Sequence, residues 1–90
     1  MLDRPTPSPR ERVVALVEQI LQQNAREQRV AVDAELTAIG LTSIDMVNLM
    51  LAVEAEFDVM IPPVDITPEN FRSVATIERL MGKLGVDGAA

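Results

Sequence analysis

Apolar positions recur at helical spacing in three stretches of the chain. The first holds Val13, Leu16, Val17, Ile20 and Leu21, with Glu18, Gln19, Gln22 and Gln23 facing out, the periodicity of an amphipathic helix. Ser8-Pro9-Arg10-Glu11 reads as its start: Ser8 caps, Pro9 suits the first helical position, and Glu11 bonds back to the cap. A helix is predicted from about Pro9 to Gln23, its end vague through Arg26. Thr42-Ser43-Ile44-Asp45 is a second start, with Thr42 as cap and Asp45 as a short-armed capping-box partner. Val47, Met50, Val53 and Phe57, with Leu49 beside them, form one face of the helix that follows. Ile44, Val47 and Leu51 form a second apolar strip, which is more than one small core needs. This helix should end near Phe57-Asp58. Ile61-Pro62-Pro63 stops any helix, and Thr67-Pro68-Glu69 opens a short one through about Phe71. Ser73 caps a last helix carrying Val74, Ile77, Leu80, Met81 and Leu84, ended by Gly82 or Gly85.

Residues 24–42 lack sustained periodicity, and a stretch of this length without structure is long for a compact domain. Val30, Val32, Leu36, Ile39 and Leu41 are expected to tie it to the core, with a short helical turn from Ala34 to Ile39. Gly40 permits backbone angles that other residues avoid. No run alternates long enough to require a strand. The expected fold is all-α: a small antiparallel bundle of three main helices plus one short helix, with a long first loop. Residues 1–8 read as a flexible leader, 9–85 as one domain and 86–90 as a frayed end.

Composition narrows the chemistry. With 90 residues the chain builds one modest core and no large enclosed active site. Apolar residues make up 48%, too many for a disordered acidic tail. Phe57 and Phe71 are the only aromatics, too few for base-stacking on single-stranded nucleic acid. There is no cysteine and no histidine, which excludes a thiol nucleophile, a histidine-based triad and a thiolate or imidazole zinc site. Lys83 is the only lysine and stands far from any serine that it might activate. Asp33 to Asp45 lacks the ligand spacing of a calcium loop. An enzyme is therefore not expected. The stretch from Met1 to Pro9 has three prolines and no apolar run, so it does not read as a signal peptide, and the apolar segments are shorter than a membrane span. A cytoplasmic monomer is expected.

The net charge of −6 is unevenly spread. Residues 1–29 sum to +1 and residues 30–90 to −7, and Val30 to Phe71 holds eight acids and no base. Such a face repels nucleic acid and anionic membrane and favours basic protein partners; it also serves solubility alone.

The segment Gly40-Leu41-Thr42-Ser43-Ile44-Asp45-Met46 places a serine in the first turn of a helix, between Leu41 and Ile44. It resembles the Gly-X-Asp-Ser-Leu-type segment of the acyl carrier protein family, which includes aminoacyl and peptidyl carrier domains. The likeness continues through Glu54-Ala55-Glu56-Phe57-Asp58-Val59-Met60-Ile61-Pro62, similar to the family's acidic helix end, Phe and Ile-Pro. Helix count, loop length and chain length agree, and the resemblance covers roughly Pro9 to Leu84. A serine near a helix start commonly just caps it. The serine, Phe and Ile-Pro together, at family spacing, are more specific than the serine motif alone.

By that resemblance Ser43 is the cofactor-binding residue. A phosphopantetheinyl transferase, needing Mg²⁺ only during transfer, would move 4′-phosphopantetheine from coenzyme A onto its hydroxyl. A phosphodiester there would meet the free N–H groups and the dipole of a helix start. The arm's thiol supplies the sulfur that this chain lacks. The resemblance implies a carrier of an acyl thioester in lipid or secondary-metabolite synthesis, with partners doing the chemistry: a loading ligase, then synthases or tailoring enzymes. An aminoacyl or peptidyl carrier serving a stand-alone ligase is the alternative, and an unmodified helical interaction module is the rival from another class. Thr42 departs from the family's usual Asp, which bears on which transferase acts and argues against the housekeeping fatty-acid carrier. Thr42, Ile44, Asp45, Val47, Leu51 and Glu54 match the family's partner-binding surface by position. Asn48 and Ala55 stand where acids are common, pointing to partners that depend less on charge. Met46, Met50, Met60 and Met81 are either pocket lining or core filler, with Met50 and Met81 assigned to the core.

Overall fold

The computed structural model describes residues 7–24 and 28–88. Three helices form: α1 (Pro9–Gln23), α2 (Ser43–Phe57) and α3 (Val74–Lys83), with a single 3₁₀ turn at Pro63–Asp65 between the last two. Each α-helix opens on a reciprocal capping box, Ser8 with Glu11, Thr42 with Asp45 and Ser73 with Thr76. Two N–H groups that a helix start leaves unpaired are thereby satisfied in each case. The expected extension of α1 toward Arg26 lies outside the described residues, as does most of the predicted leader.

α1 packs against both other helices. Its Val13, Val17, Ile20 and Leu21 meet Leu49 and Val53 of α2 and Val74, Ile77, Leu80 and Met81 of α3 in one core cluster. α1 and α2 run antiparallel and are tied at both ends. At one end Arg12 donates from Nε to Glu56 Oε2 (2.7 Å) and from its terminal nitrogen to the Glu56 carbonyl (2.6 Å), with its guanidinium 4.4 Å from the centre of the Phe57 ring. At the other, Asn24 Nδ2 donates to Asp45 Oδ2 (2.9 Å). Arg10 Nε reaches the buried Glu78 carboxylate (2.8 Å) and adds a tie to α3.

The first loop is anchored as expected: Val30, Leu36 and Leu41 are buried, and Val32 and Ile39 pack against the core. Two backbone bonds fasten it to the entrance of α3, Leu36 N–H to the Arg72 carbonyl (2.8 Å) and Ala75 N–H to the Val32 carbonyl (2.8 Å). Ala34 to Ile39 makes hydrogen-bonded turns without becoming a helix. Gly40 adopts φ 116°, a left-handed angle that a side chain disfavours. Glu18, expected to face solvent, instead accepts from the Val30 N–H (3.0 Å) and holds the start of this loop.

The short helix differs from expectation. Thr67–Phe71 forms one turn, closed by Asn70 N–H to Thr67 Oγ1 (3.1 Å) and Phe71 N–H to the Thr67 carbonyl (3.2 Å). It stops there because the Arg72 carbonyl is taken by Leu36 and Ser73 is fully extended. The helical turn sits earlier, at Pro63, where a missing N–H costs nothing in a first turn. Lys83 Nζ donates to the buried Asp65 carboxylate (2.8 Å) and fixes it to α3. Residue 86, assigned to the frayed end, is held: Val86 donates to the Met81 carbonyl (2.9 Å) and packs against the core.

Leu49 is fully buried and Ile44, one and a half turns earlier, is 73% exposed. Leu49→Ala should cost about 2–5 kcal/mol in urea denaturation, through lost transfer energy and a cavity, while Ile44→Ala stays within about 0.5 kcal/mol. Equal effects would place the core on the wrong face of α2.

The Thr42 N–H holds the Asp45 carboxyl below its ordinary value of 3.8; burial opposes this, and the Thr42 hydroxyl and Asn24 amide reinforce it. With the folded-state pKa lowered, the unfolded chain takes up the proton first as pH falls. The stabilisation is present above 3.8 and lost as pH drops through the folded-state value. Denaturation curves at successively lower pH should show Asp45→Asn losing less stability on acidification than the unaltered protein; identical losses would rule out a charged tie.

Candidate functional site

Ser43 is the first residue of α2, and the capping is done by its neighbour. Asp45 N–H donates to Thr42 Oγ1 (3.2 Å) and Thr42 N–H donates to Asp45 Oδ2 (2.9 Å). Ser43 is thereby released from capping: its side chain is exposed and its hydroxyl has no hydrogen-bond partner among the described residues. The N–H groups of Ser43 and Ile44 are likewise left unpaired at the positive end of the helix, an arrangement that accepts an anion. A phosphodiester on the Ser43 oxygen fits these surroundings.

Beside Ser43 lies a groove of about 600 Å³, open to solvent. Met46, Met50 and Phe71 supply its apolar floor, and all three also belong to or pack against the core. The first loop contributes Glu35 and Thr37, and the segment leading into α3 contributes Glu69 and Arg72. The loop-to-α3 backbone bonds described above hold these two walls together. Met46 and Met50 are therefore both core and lining, Met81 is core alone, and Met60 is 87% exposed. None of the four wall residues was singled out by the sequence reading. Arg72 carried a signal, as the first base after the long acidic stretch.

The residues matched to a partner surface divide in two. Ile44, Val47 and Leu51 are 73%, 53% and 53% exposed and form an apolar strip on the outside of α2. Val47, which the pattern placed on both faces, is part of this strip and also lines the groove. Thr42 is exposed but engaged as the cap. Asp45, matched to the same surface, is buried, and its carboxylate is engaged by Thr42 and Asn24 within the chain. Glu54 is half-buried and accepts from the Ile61 N–H (2.8 Å), closing the turn after α2. Its position is therefore explained by loop closure. Half of the acidic stretch is likewise accounted for by internal contacts. Of its eight acids, Asp45, Glu54, Glu56 and Asp65 are engaged within the molecule, leaving Asp33, Glu35, Asp58 and Glu69 to act outward. No helix of the described residues is long and apolar enough to cross a membrane, and no group of three or more acids among them could hold a metal ion.

Known proteins share this arrangement. Residues 11–81 match the family described as "Phosphopantetheine attachment site". Aminoacyl carrier protein 1 of Bradyrhizobium diazoefficiens is 58% identical over 72 residues, covering 80% of each chain, and Aminoacyl carrier protein 2 of the same organism is 53% identical over 70 residues, covering 78% of this chain and 79% of that one. Among solved structures, the chain is similar to one in the crystal structure of Bradyrhizobium japonicum glycine:[carrier protein] ligase complexed with cognate carrier protein and an analogue of glycyl adenylate. The TM-score is 0.71 at 57% identity, covering 82% of this chain and 96% of that one. A second structure, of the ligase with glycylated carrier protein, gives 0.69 at 59% identity, covering 79% and 96%. A three-helix fold without strands among the described residues, a family match across most of its length and relatives this close agree: the chain belongs to the carrier proteins that bear a covalent 4′-phosphopantetheine and act through separate enzymes.

Proposed function

We propose that this chain is an aminoacyl carrier: its phosphopantetheine sits on Ser43, and a stand-alone ligase loads an amino acid, glycine first, as a thioester on the arm. The identity to two aminoacyl carriers along four-fifths of the chain carries this reading. It favours the aminoacyl alternative over the lipid or secondary-metabolite cargo expected first. The structures of similar chains with a glycine ligase support the choice of ligase and cargo.

Within this reading the chain's residues divide the work. Ser43 supplies an unencumbered hydroxyl, because Thr42 has taken over the cap. The paired Thr42 and Asp45 fix the backbone turn that carries that hydroxyl. Ile44, Val47 and Leu51 offer the apolar contact on which a partner seats itself, and the few outward acids add weak steering. When bound, the arm supplies a thiol that reaches the partner's active site; the protein supplies position and recognition.

Intact mass tests the attachment. Incubation with coenzyme A, Mg²⁺ and a broad-specificity transferase should add one phosphopantetheine to the protein and none to Ser43→Ala. No addition to the unaltered chain, nor to a Thr42→Asp variant with a second transferase, would leave an unmodified interaction module in its place.

Loading tests the cargo. The modified protein, given glycine, ATP and a glycine:carrier ligase, should gain one glycyl group. Val47→Asp and Leu51→Asp should each lower kcat/KM for that loading by about tenfold or more, since each puts an unpaired charge into an apolar contact. Loading by a fatty-acyl ligase and none by the glycine ligase would return the lipid reading.

A further inference from the structure

The turn that carries Ser43 is tied to α1 by a single side chain. Asn24 Nδ2 donates to Asp45 Oδ2 (2.9 Å), and among the described residues no other side-chain hydrogen bond joins the start of α2 to another helix. We infer that Asn24 is a positioning residue for attachment of the phosphopantetheine: it acts through Asp45 to hold the Thr42–Ser43 turn where a transferase can use the serine hydroxyl. This inference rests on the reading of Ser43 as the attachment residue and deepens it.

The end of α1 does not itself call for an asparagine. Asn24 closes that helix through its backbone N–H, which donates to the Ile20 and Leu21 carbonyls (3.2 and 3.1 Å), and any residue but proline supplies that group. Its φ of −91° is negative, so no left-handed cap selects asparagine. The residue is exposed, so packing does not select it either. What remains is the side-chain amide, and it is committed to the one buried carboxylate of α2.

That carboxylate controls the turn. The oxygen that takes the Asn24 amide, Oδ2, also accepts from the Thr42 N–H (2.9 Å), so a shift of Asp45 is passed to the residue before Ser43. The first loop fixes the chain as far as Leu41, which is buried and donates its N–H to the Leu36 carbonyl (3.1 Å). Asn24 adds the hold from α1. The other two buried carboxylates among the described residues, Asp65 and Glu78, are paired with cations, whereas Asp45 is held by neutral donors. An amide supplies direction without charge and leaves the positive end of α2 to the phosphodiester.

Placement matters to the transfer itself. The Ser43 oxygen forms a bond to the phosphorus that bears the pantetheine as the bond from that phosphorus to the oxygen shared with the nucleotide breaks. The nucleotide, 3′,5′-adenosine diphosphate, leaves with the electron pair, and the hydroxyl proton passes to a base of the transferase. A displacement of about 1 Å in such a step can cost on the order of a hundredfold in rate.

Single-turnover transfer, with coenzyme A, Mg²⁺ and transferase in excess over the carrier, reads the step at Ser43 apart from product release. Asn24→Ala should lower its maximal rate about tenfold and leave the half-saturating transferase concentration within about twofold, because the Ile44–Val47–Leu51 strip is untouched. Amide hydrogen exchange should quicken at Thr42 and Asp45 and stay the same at Leu49 and Val53; a general loss of stability would quicken all four and sink the idea. Asn24→Asp sets two carboxylates against each other and should be slow as well. The swapped pair Asn24→Asp/Asp45→Asn can remake both bonds, with the amide oxygen at position 45 accepting from Thr42 and the amide nitrogen donating to the carboxylate at position 24. It should recover the rate. A swapped pair as slow as Asn24→Asp would mean direct contact between transferase and Asn24 and would overturn the inference, as would an Asn24→Ala rate equal to that of the unaltered chain. Either failure, with the unaltered chain still modified at Ser43, leaves the attachment reading in place. If the unaltered chain takes up no phosphopantetheine at Ser43, both fall.

Discussion

One carboxylate sets the geometry on which the site depends. Asp45 Oδ2 accepts at once from the backbone of Thr42, which starts α2, and from the side chain of Asn24, which ends α1. A single buried group thus fixes the first turn of one helix and locks it to the last turn of another. The energetic logic is that of a buried acid whose hydrogen bonds are all made: costly if unpaired, specific when satisfied. The far ends of the same helices are clasped by Arg12 against Glu56 and Phe57. With polar ties at both ends and an aliphatic core between, α2 has little freedom to slide. The serine beside Asp45 inherits that rigidity, while its own hydroxyl stays uncommitted.

The same accounting changes how the acidity of the chain is understood. A net charge of −6 and an unbroken acidic run suggest a molecule that steers by charge. Half of that run is engaged in holding turns and helix ends, so the outward-facing charge is sparse. What α2 shows a partner is mostly Ile44, Val47 and Leu51. Under the aminoacyl-carrier reading proposed above, recognition would rest on shape and apolar contact, with long-range attraction as a minor aid.

Much of this was legible in the sequence because it is local. The first two capping boxes, the Ser73 cap, the limits of α1 and α2, the apolar anchors of the first loop and the need for a flexible residue at Gly40 depend on residues within a few positions of one another. The exposed place of Ser43 in the first turn of α2 was equally legible, from the cap that precedes it. What escaped was set by distant partners. Glu18 looked solvated because Val30, whose N–H it receives, lies across a loop. Asp45 was read both as a cap and as a surface acid, and only Asn24 decides between the two. The turn after Thr67 looked like a helix start until Leu36 claimed the carbonyl that the helix would have used. Glu35, Thr37, Glu69 and Arg72 share a groove only because the loop folds onto the α3 entrance, which no local pattern encodes.

That groove is open to solvent, with its floor formed by the outer side of residues whose inner side completes the core. A group lodged there leaves without parting α1 from α2 or α3. Its departure is therefore separable from the opening of the bundle. Core residues that do not reach the groove, such as Val13 and Val17, can therefore be altered without touching its floor, so the stability of the bundle and the shape of the groove can be tuned separately in this molecule.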